Sequence, residues 1–175
     1  MVNLTRITDW KCAEFEALWN LYEDSFPIEE RRDEDQLKDM ILNEKRMYFN
    51  KVEYEGKLAG LFVYWNMGDF YYMEHLAILE EMRNSRIGGR VLEWAGEHIH
   101  GLRILEVEPA ESEITTRRIG FYKRHNYEIY DKTYIQAPYR PDGEGCPLWI
   151  MCNREDADLK SKLDKITQIV YLRLL

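Results

Sequence analysis

The sequence predicts an α/β fold of the α+β type, with a mixed, mostly antiparallel central sheet of about seven strands flanked by helices. One observation is a pair of strands over residues 46–54 and 58–65, joined by Glu55-Gly56-Lys57 with the glycine that a hairpin turn needs. A second is the stretch 71–90, which has the pattern of a strand, a tight basic turn and the start of a helix. The 175 residues suit one domain, spanning 1–175.

The N-terminal part predicts one strand and two helices. Residues 3–8 are expected to form the first strand, and Asp9 is expected to cap the helix that follows. Pro27 is expected to occupy the first position of a second helix, which buries Ile41 and its apolar neighbours. The early part of this helix, 29–36, is almost wholly charged; we interpret it as a solvated surface, with a substrate-gating segment as the alternative.

The middle of the chain continues the sheet. A turn over residues 66–69 leads into the strand of 71–78, so that three antiparallel strands precede the basic turn. The pleat of this strand predicts that His75 lies on the face opposite Glu74. After the next helix, residues 103–108 are expected to form a further strand, because proline at the following position cannot donate to a ladder.

The C-terminal part predicts a helix, two strands and a last helix. Ser112 is expected to cap the helix, and Asn126 to end it in the left-handed conformation. Residues 127–137 and 147–152 are expected to form strands, with a loop of Pro, Gly and Asp at 138–145. The apolar side of the last helix is expected to be a packing face or a homodimer face rather than a membrane anchor.

Composition narrows the classes of function. The net charge of −8 and the pI near 5.1 argue against nucleic-acid binding through a basic surface. Cys12, Cys146 and Cys152 are odd in number and lack metal-ligand spacing, so we expect no metal and reduced thiols in a cytoplasmic protein. The chain begins without an apolar signal region and carries no apolar stretch of bilayer length, which predicts a soluble, unexported protein.

The basic turn has the composition of an anion site. The first N–H groups of a helix have no partner within it and carry the positive end of its dipole, so they can bind a phosphate. Glycines in such a turn let the backbone approach the anion closely. The turn and the first helical residues are Arg83, Asn84, Ser85, Arg86, Ile87, Gly88 and Gly89.

Three stretches of the sequence resemble the GNAT superfamily of acyl-CoA-dependent N-acyltransferases, and the order of the elements resembles it as well. Residues 74–78 followed by 83–88 are similar to the strand that leads into the family's [QR]-x-x-G-x-[GA] pyrophosphate loop. Residues 105–108 are similar to the family's fifth strand. Residues 117–127 are similar to the family's helix that carries a tyrosine just ahead of Gly-Phe, and that tyrosine is Tyr122 here.

The resemblance implies a sheet splayed between its fourth and fifth strands, with acetyl-CoA as co-substrate in the splay. The backbone of Leu76, Ala77 and Ile78 would pair with the pantetheine arm, and an N–H there would hold the thioester oxygen. The pyrophosphate would rest on residues 83–89. The chain departs from the family pattern at Arg86, where the first loop glycine is usual, so this side chain must either point away or bind phosphate itself.

The resemblance also implies catalytic residues and an acceptor. Glu106 is the first candidate for the base that deprotonates an amine, with Glu74 and Glu108 as alternatives or a water chain in their place. Tyr122 would protonate the CoA thiolate. Residues 26–36 and 136–146 are expected to select the acceptor, with walls from aromatic residues, which are Tyr71, Tyr134 and Tyr139.

The predicted function is therefore acetyl transfer from acetyl-CoA to a primary amine of a small molecule or peptide, by direct attack on the thioester. The alternative is a CoA-binding regulatory or interaction module without turnover, which the unusual Arg86 suggests. A third hypothesis is an α+β scaffold that binds no cofactor. A thermal shift with CoA separates the third hypothesis from the other two.

Overall fold

The computed structural model describes residues 1–174 and contains nine strands and five α-helices within them. The strands are β1 (Val2–Arg6), β2 (Met47–Tyr54), β3 (Lys57–Asn66), β4 (Phe70–Ile78), β5 (Leu102–Val107), β6 (Glu128–Asp131), β7 (Ile135–Gln136), β8 (Cys146–Pro147) and β9 (Trp149–Cys152). The helices are α1 (Phe15–Ser25), α2 (Glu34–Asn43), α3 (Ile87–His98), α4 (Glu113–Lys123) and α5 (Leu159–Ile166). Short 3₁₀ turns form at Ile28–Glu30 and Glu80–Met82, and α5 continues as a π-helical turn over Thr167–Tyr171.

Seven strands form one sheet in the order β1-β2-β3-β4-β5-β9-β6, and β7 pairs with β8 separately. Every neighbouring pair in the large sheet is antiparallel except β4 with β5, which is parallel. The predicted fold class is confirmed. The parallel pair is possible because the whole of α3 lies between the two strands in the chain and covers one face of the sheet.

The sheet splays between β4 and β5. The two strands pair only from Phe70 with Leu102 to Met73 with Leu105. Beyond that point β4 stays paired with β3 as far as Ile78, whereas β5 is paired with β9. The ends of β4 and β5 therefore present open edges to each other, which confirms the predicted splay.

A β-bulge interrupts β4 at Glu74. His75 pairs with Val63 and Met73 pairs with Tyr64, so Glu74 is the extra residue on its strand. The bulge resets the alternation, and Glu74 and His75 both contact Tyr139 on the same face of the sheet. The prediction that His75 lies opposite Glu74 is wrong, because a regular pleat was assumed where the strand is bulged.

Helices cover the sheet on both faces. Residues of α1, α2 and α5 pack on one face and bury an apolar cluster that includes Leu18, Leu37 and Ile166. Residues of α3 and α4 pack on the other face, where Val91 and Ile119 are buried. The apolar side of α5 is thus part of the core, which confirms the packing face predicted for the last helix. None of the helices within residues 1–174 combines the length and the apolar character that a membrane span requires.

The starts of the first two helices differ from the prediction. The side chain of Asp9 accepts a hydrogen bond from the Lys11 N–H (2.9 Å) in a turn, and α1 begins only at Phe15. Pro27 precedes the short 3₁₀ turn, and α2 begins after Asp33, whose carboxylate accepts from the Gln36 N–H at 2.8 Å. Asp33 lies directly before α2 and has a side-chain oxygen that accepts from a free N–H group at the helix start, whereas the side chain of Pro27 has no such acceptor.

The C-terminal strands are shorter than predicted. Asp131 accepts hydrogen bonds from the backbone N–H and hydroxyl of Thr133, and this turn divides the expected strand 127–137 into β6 and β7. The expected strand 147–152 is likewise divided between β8 and β9. The helix between β5 and β6 follows the prediction: Ser112 caps it, and Asn126 follows it with φ +65°.

Candidate active site

The splay between β4 and β5 opens into a cavity of about 530 Å³. Both open strand edges contribute to its walls, and α4 closes it from one side while the 3₁₀ turn after α1 closes it from the other. The cavity contains every residue predicted for catalysis and for the thioester end of acetyl-CoA. These are Glu74, Leu76, Ala77, Ile78, Glu106 and Tyr122.

Glu106 is held through one of its two carboxylate oxygens. Its Oε2 accepts hydrogen bonds from the Tyr72 hydroxyl (2.9 Å), the Tyr171 hydroxyl (2.8 Å) and the Gln136 amide (2.5 Å). Its Oε1 is buried, and the Tyr134 hydroxyl is a fourth group that acts on the carboxylate. Burial raises the pKa of Glu106, although these donors act in the opposite direction. A carboxylate with a raised pKa on the wall of a cavity has the properties of a general base.

Tyr122 lies on α4 and faces the same cavity. Burial raises the pKa of Tyr122 to about 12, against a smaller effect of Arg118 in the opposite direction. The phenol therefore keeps its proton at neutral pH. It can share that proton in a hydrogen bond with an anion that forms beside it, such as a thiolate.

Glu74 has no oxygen left uncommitted. Oε1 accepts from Arg32 (2.6 Å) and from the Tyr139 hydroxyl (2.8 Å), and Oε2 accepts from Trp65 Nε1 (2.8 Å). Burial raises the pKa of Glu74, but Arg32 leads the opposing effects and the pKa lies below its ordinary value. Glu108, the other alternative, is paired with Arg118. Among the described residues, Glu106 is thus the candidate carboxylate without a cationic partner.

His75 is buried and neutral. Its Nε2 lies 3.0 Å from the carbonyl oxygen of Glu30, so Nε2 carries the proton and donates it. Burial lowers the pKa of His75, and the adjacent Arg32 acts in the same direction. The ring packs against Phe26 with 4.2 Å between centroids. His75 therefore ties the 3₁₀ turn after α1 to the strand that lines the cavity.

A second cavity, of about 500 Å³, lies beside the first and shares Ile78, Arg83 and Arg118 with it. The predicted phosphate-binding residues line it with one exception, because Ser85 is exposed and lines neither cavity. Five guanidinium groups surround this space. They belong to Arg83, Arg86, Arg117, Arg118 and Arg124.

Arg86 occupies the position before α3 with φ +58°, in the left-handed region that favours glycine. This conformation accounts for the family preference for glycine there, and an L-residue adopts it at a cost of about 1 kcal/mol. The Arg86 side chain does not cap the helix and is exposed on the wall of the second cavity.

The glycine pair at the start of α3 also has a packing role. A Cβ atom on Gly88 would lie 3.4 Å from Phe121, and one on Gly89 would lie 2.9 Å from Nε2 of His125. Both neighbours belong to α4 or to the residues directly after it. The glycines therefore let α3 and α4 approach closely, which brings the arginines that precede α3 and those of α4 to one cavity.

Several residues of the site were not predicted. Arg32 is only 3% exposed and pairs with Glu74, but its sequence context is a run of charged residues typical of a surface. Tyr72 and Tyr171 were not predicted either, because an isolated aromatic residue has no sequence pattern that marks it as part of a site. Of the predicted aromatic walls, Tyr139 lines the cavity, whereas Tyr71 packs on the opposite face of the sheet.

Comparisons with known proteins agree with this geometry. Residues 15–127 match the model of a family described as the acetyltransferase (GNAT) family. A structure from Bacteroides thetaiotaomicron, described as a GNAT-family acetyltransferase, is 30% identical, with a TM-score of 0.91, covering 97% of this chain and 98% of that one. A search of curated proteins found no match.

Two more distant structures share the fold. Naa50 of Arabidopsis thaliana, in complex with the bisubstrate analogue CoA-Ac-MVNAL, is 18% identical, with a TM-score of 0.58 over 88% of this chain and 99% of that one. The PaiA N-acetyltransferase of Thermoplasma acidophilum, in complex with coenzyme A, is 13% identical, with a TM-score of 0.60 over 89% and 99%.

Proposed function

Because the chain belongs to the GNAT acetyltransferase family, we propose that it transfers the acetyl group of acetyl-CoA to a primary amine of a small molecule or peptide. One observation carries the catalytic assignment. Glu106, with a raised pKa and no cationic partner among the described residues, and Tyr122, with a firmly held proton, line one cavity at the open edge of β4.

The residues fit an acyl-CoA co-substrate. The edge of β4 from Leu76 to Ile78 is unpaired on the side of β5 and can accept an extended arm as an added strand. The arginines of the second cavity suit the phosphates, since charge-assisted hydrogen bonds to guanidinium groups are strong. Acetyl-CoA supplies an acyl group activated as a thioester.

Charge on the cavity wall favours an amine acceptor. The acidic residues that line it are Asp24, Glu30, Glu74, Glu106 and Glu108, and the cationic ones are Arg83 and Arg118. Burial raises the pKa of Glu30, as does the nearby Glu108. A cationic ligand relieves the repulsion among these carboxylates, whereas an anionic acceptor increases it.

Proton transfer follows from the two catalytic residues. Glu106 takes a proton from the bound ammonium, directly or through a water molecule, which frees the nitrogen lone pair to attack the thioester carbon. A backbone N–H of residues 76–78 stabilises the negative charge on the carbonyl oxygen. Tyr122 donates its proton to sulfur as the C–S bond breaks. The amine nitrogen loses a second proton, which restores Tyr122, and Glu106 releases its proton to solvent, so the products are the amide, CoA thiol and one proton.

The test is release of CoA thiol from acetyl-CoA in the presence of a panel of primary amines. Glu106→Gln and Tyr122→Phe should each reduce kcat by about a hundredfold or more. Tyr127→Phe is the matched control, because the Tyr127 hydroxyl bonds Arg103 and the residue does not line the cavity. Full activity in both catalytic variants would overturn the assignments.

The alternative function has its own signature. A CoA-binding regulatory module, which the unusual Arg86 suggests, predicts a thermal shift with CoA but no turnover with any amine. Turnover with any amine excludes it.

A further inference from the structure

The last turn of the described chain contacts the proposed base. Tyr171 donates its hydroxyl to Glu106 Oε2 at 2.8 Å, and the hydroxyls of Tyr171 and Tyr72 lie 2.6 Å apart. Gln136 contributes a third group, since its amide donates both to Glu106 Oε2 (2.5 Å) and to the Tyr171 oxygen (3.1 Å). The four side chains thus form one hydrogen-bonded cluster across β4, β5, β7 and the C-terminal helix.

A local change of helix type accompanies this contact. After Ile166 the C-terminal helix widens into the π-helical turn Thr167–Tyr171, in which the Leu172 N–H donates to the Thr167 carbonyl five residues back (3.0 Å). Tyr171, Ile169 and Val170 are all buried in this turn. Single π-turns are rare and often occur at functional sites, because they turn a side chain away from its regular direction.

We propose that Tyr171, together with Gln136, is a positioning residue that holds the carboxylate of Glu106 in one orientation through Oε2. This inference rests on the proposed function, in which Glu106 is the base. Donors on a single oxygen stop the carboxylate from rotating, and their removal frees Glu106 to adopt other orientations in the cavity.

The polar and charged groups around Glu106 determine which measurement can detect the positioning role of Tyr171 and Gln136. The polar groups that face it are the hydroxyls of Tyr72, Tyr134 and Tyr171 and the Gln136 amide. Among residues 1–174 no lysine or arginine forms an ion pair with it, and the other acids of the cavity are Asp24, Glu30, Glu74 and Glu108. Hydrogen-bond donors are therefore the groups that hold its negative charge.

The positioning residues lie outside the part of the chain that matches the family model, which ends at residue 127. Gln136 comes from the short β7, and Tyr171 comes from the π-helical turn. We therefore infer that the C-terminal segment of this chain supplies a part of the active site that the family match does not contain.

The experiment compares Tyr171→Phe with wild type in the pH dependence of kcat/KM for an accepted amine. Tyr171 donates to the ionised carboxylate and lowers its pKa against the effect of burial, so its loss must raise that pKa further. Glu106 acts when deprotonated, so the acidic limb of the profile should move to higher pH. We expect kcat to fall about tenfold at neutral pH and the KM for acetyl-CoA to stay unchanged.

Tyr127→Phe is the matched control, because Tyr127 is a buried tyrosine whose hydroxyl bonds Arg103 and Met73 rather than Glu106. It should leave the acidic limb in place. Gln136→Met provides a second test if Tyr171→Phe does not fold, and it should shift the limb in the same direction. In both variants the addition of Glu106→Gln should cause no greater loss than Glu106→Gln alone.

The outcomes separate the two proposals. If Glu106→Gln keeps full activity, Glu106 is not the base and the proposed catalytic assignment fails. If Glu106→Gln abolishes turnover while Tyr171→Phe and Gln136→Met leave the acidic limb unmoved, the base stands and only the positioning role is overturned.

Discussion

The two walls of the cleft are built in different ways. The proposed cofactor wall uses mainly consecutive residues, from the end of β4 through residues 83–89, to which α4 and the residue after it add arginines, and it presents backbone edges and exposed arginines. The acceptor wall joins residues far apart in the chain: Arg32 and Glu74 are 42 positions apart, and Tyr171 and Glu106 are 65 apart. A group common to all acyl-CoA molecules can be bound by a local motif, whereas the acceptor wall depends on the completed fold.

The arginines of the two walls also differ in their exposure and in their ion pairs. Arg83, Arg86, Arg117 and Arg124 are exposed on the cofactor wall, and none of them forms an ion pair with another residue of the described chain. On the acceptor wall, Arg32 is buried against Glu74, donates to the Val170 carbonyl (3.2 Å), and lies over the Tyr139 ring. The exposed arginines of the proposed cofactor wall are therefore available to a ligand, whereas Arg32 stabilises the fold.

Removal of Arg32 should have the largest effect on stability. Arg32→Met leaves the Glu74 carboxylate buried without its cation, so we expect a loss of about 3–5 kcal/mol in the free energy of unfolding. Arg117→Met is the matched control on the exposed cofactor wall and should change stability by less than about 0.5 kcal/mol. Urea denaturation measures both.

A second substitution tests whether the unpaired carboxylate of Glu74 causes the loss of stability in Arg32→Met. Adding Glu74→Gln to Arg32→Met removes the unpaired carboxylate and should restore part of the lost stability. Equal losses in Arg32→Met and Arg117→Met, or no recovery in the double variant, would contradict the distinction between the walls.

The exposed arginines should matter for binding rather than for folding. We expect the double variant Arg117→Gln, Arg124→Gln to weaken CoA binding about tenfold, because each lost guanidinium removes a charge-assisted contact to phosphate. The deficit should shrink at high salt, since exposed charges are screened. Calorimetry at low and high salt measures it, and a deficit independent of salt would place these side chains away from the phosphates.

The same contrast explains what could be predicted from the sequence. The part of the proposed cofactor wall from the end of β4 through residue 89 was predicted because a strand, a basic turn and a helix follow one another there, whereas the arginines of α4 and the residue after it were not predicted. Arg32 was not predicted as a site residue because its charged neighbours in the sequence are typical of a solvated face, and only the fold shows that it is buried. The bulge at Glu74 has no marker in an otherwise regular alternation, and therefore the position of His75 was predicted wrongly.

The smallest effect concerns Arg86, where backbone conformation and side-chain contact can be separated. Arg86→Gly relieves the left-handed strain of about 1 kcal/mol but increases the entropy of the unfolded chain, so its stability should stay within about 0.5 kcal/mol of wild type. Arg86→Ala keeps both the strain and the unfolded-chain entropy of an L-residue, so its stability should also lie close to that of wild type.

Both Arg86 variants lose the same guanidinium. If Arg86 binds phosphate from the wall of the second cavity, their affinities for CoA should fall by the same factor, about threefold to tenfold. Calorimetry with CoA and thermal denaturation distinguish the two contributions. Tighter CoA binding by Arg86→Gly alone would instead show that the arginine holds the loop away from the geometry that the anion requires, and the cofactor wall would then be strained as well as open.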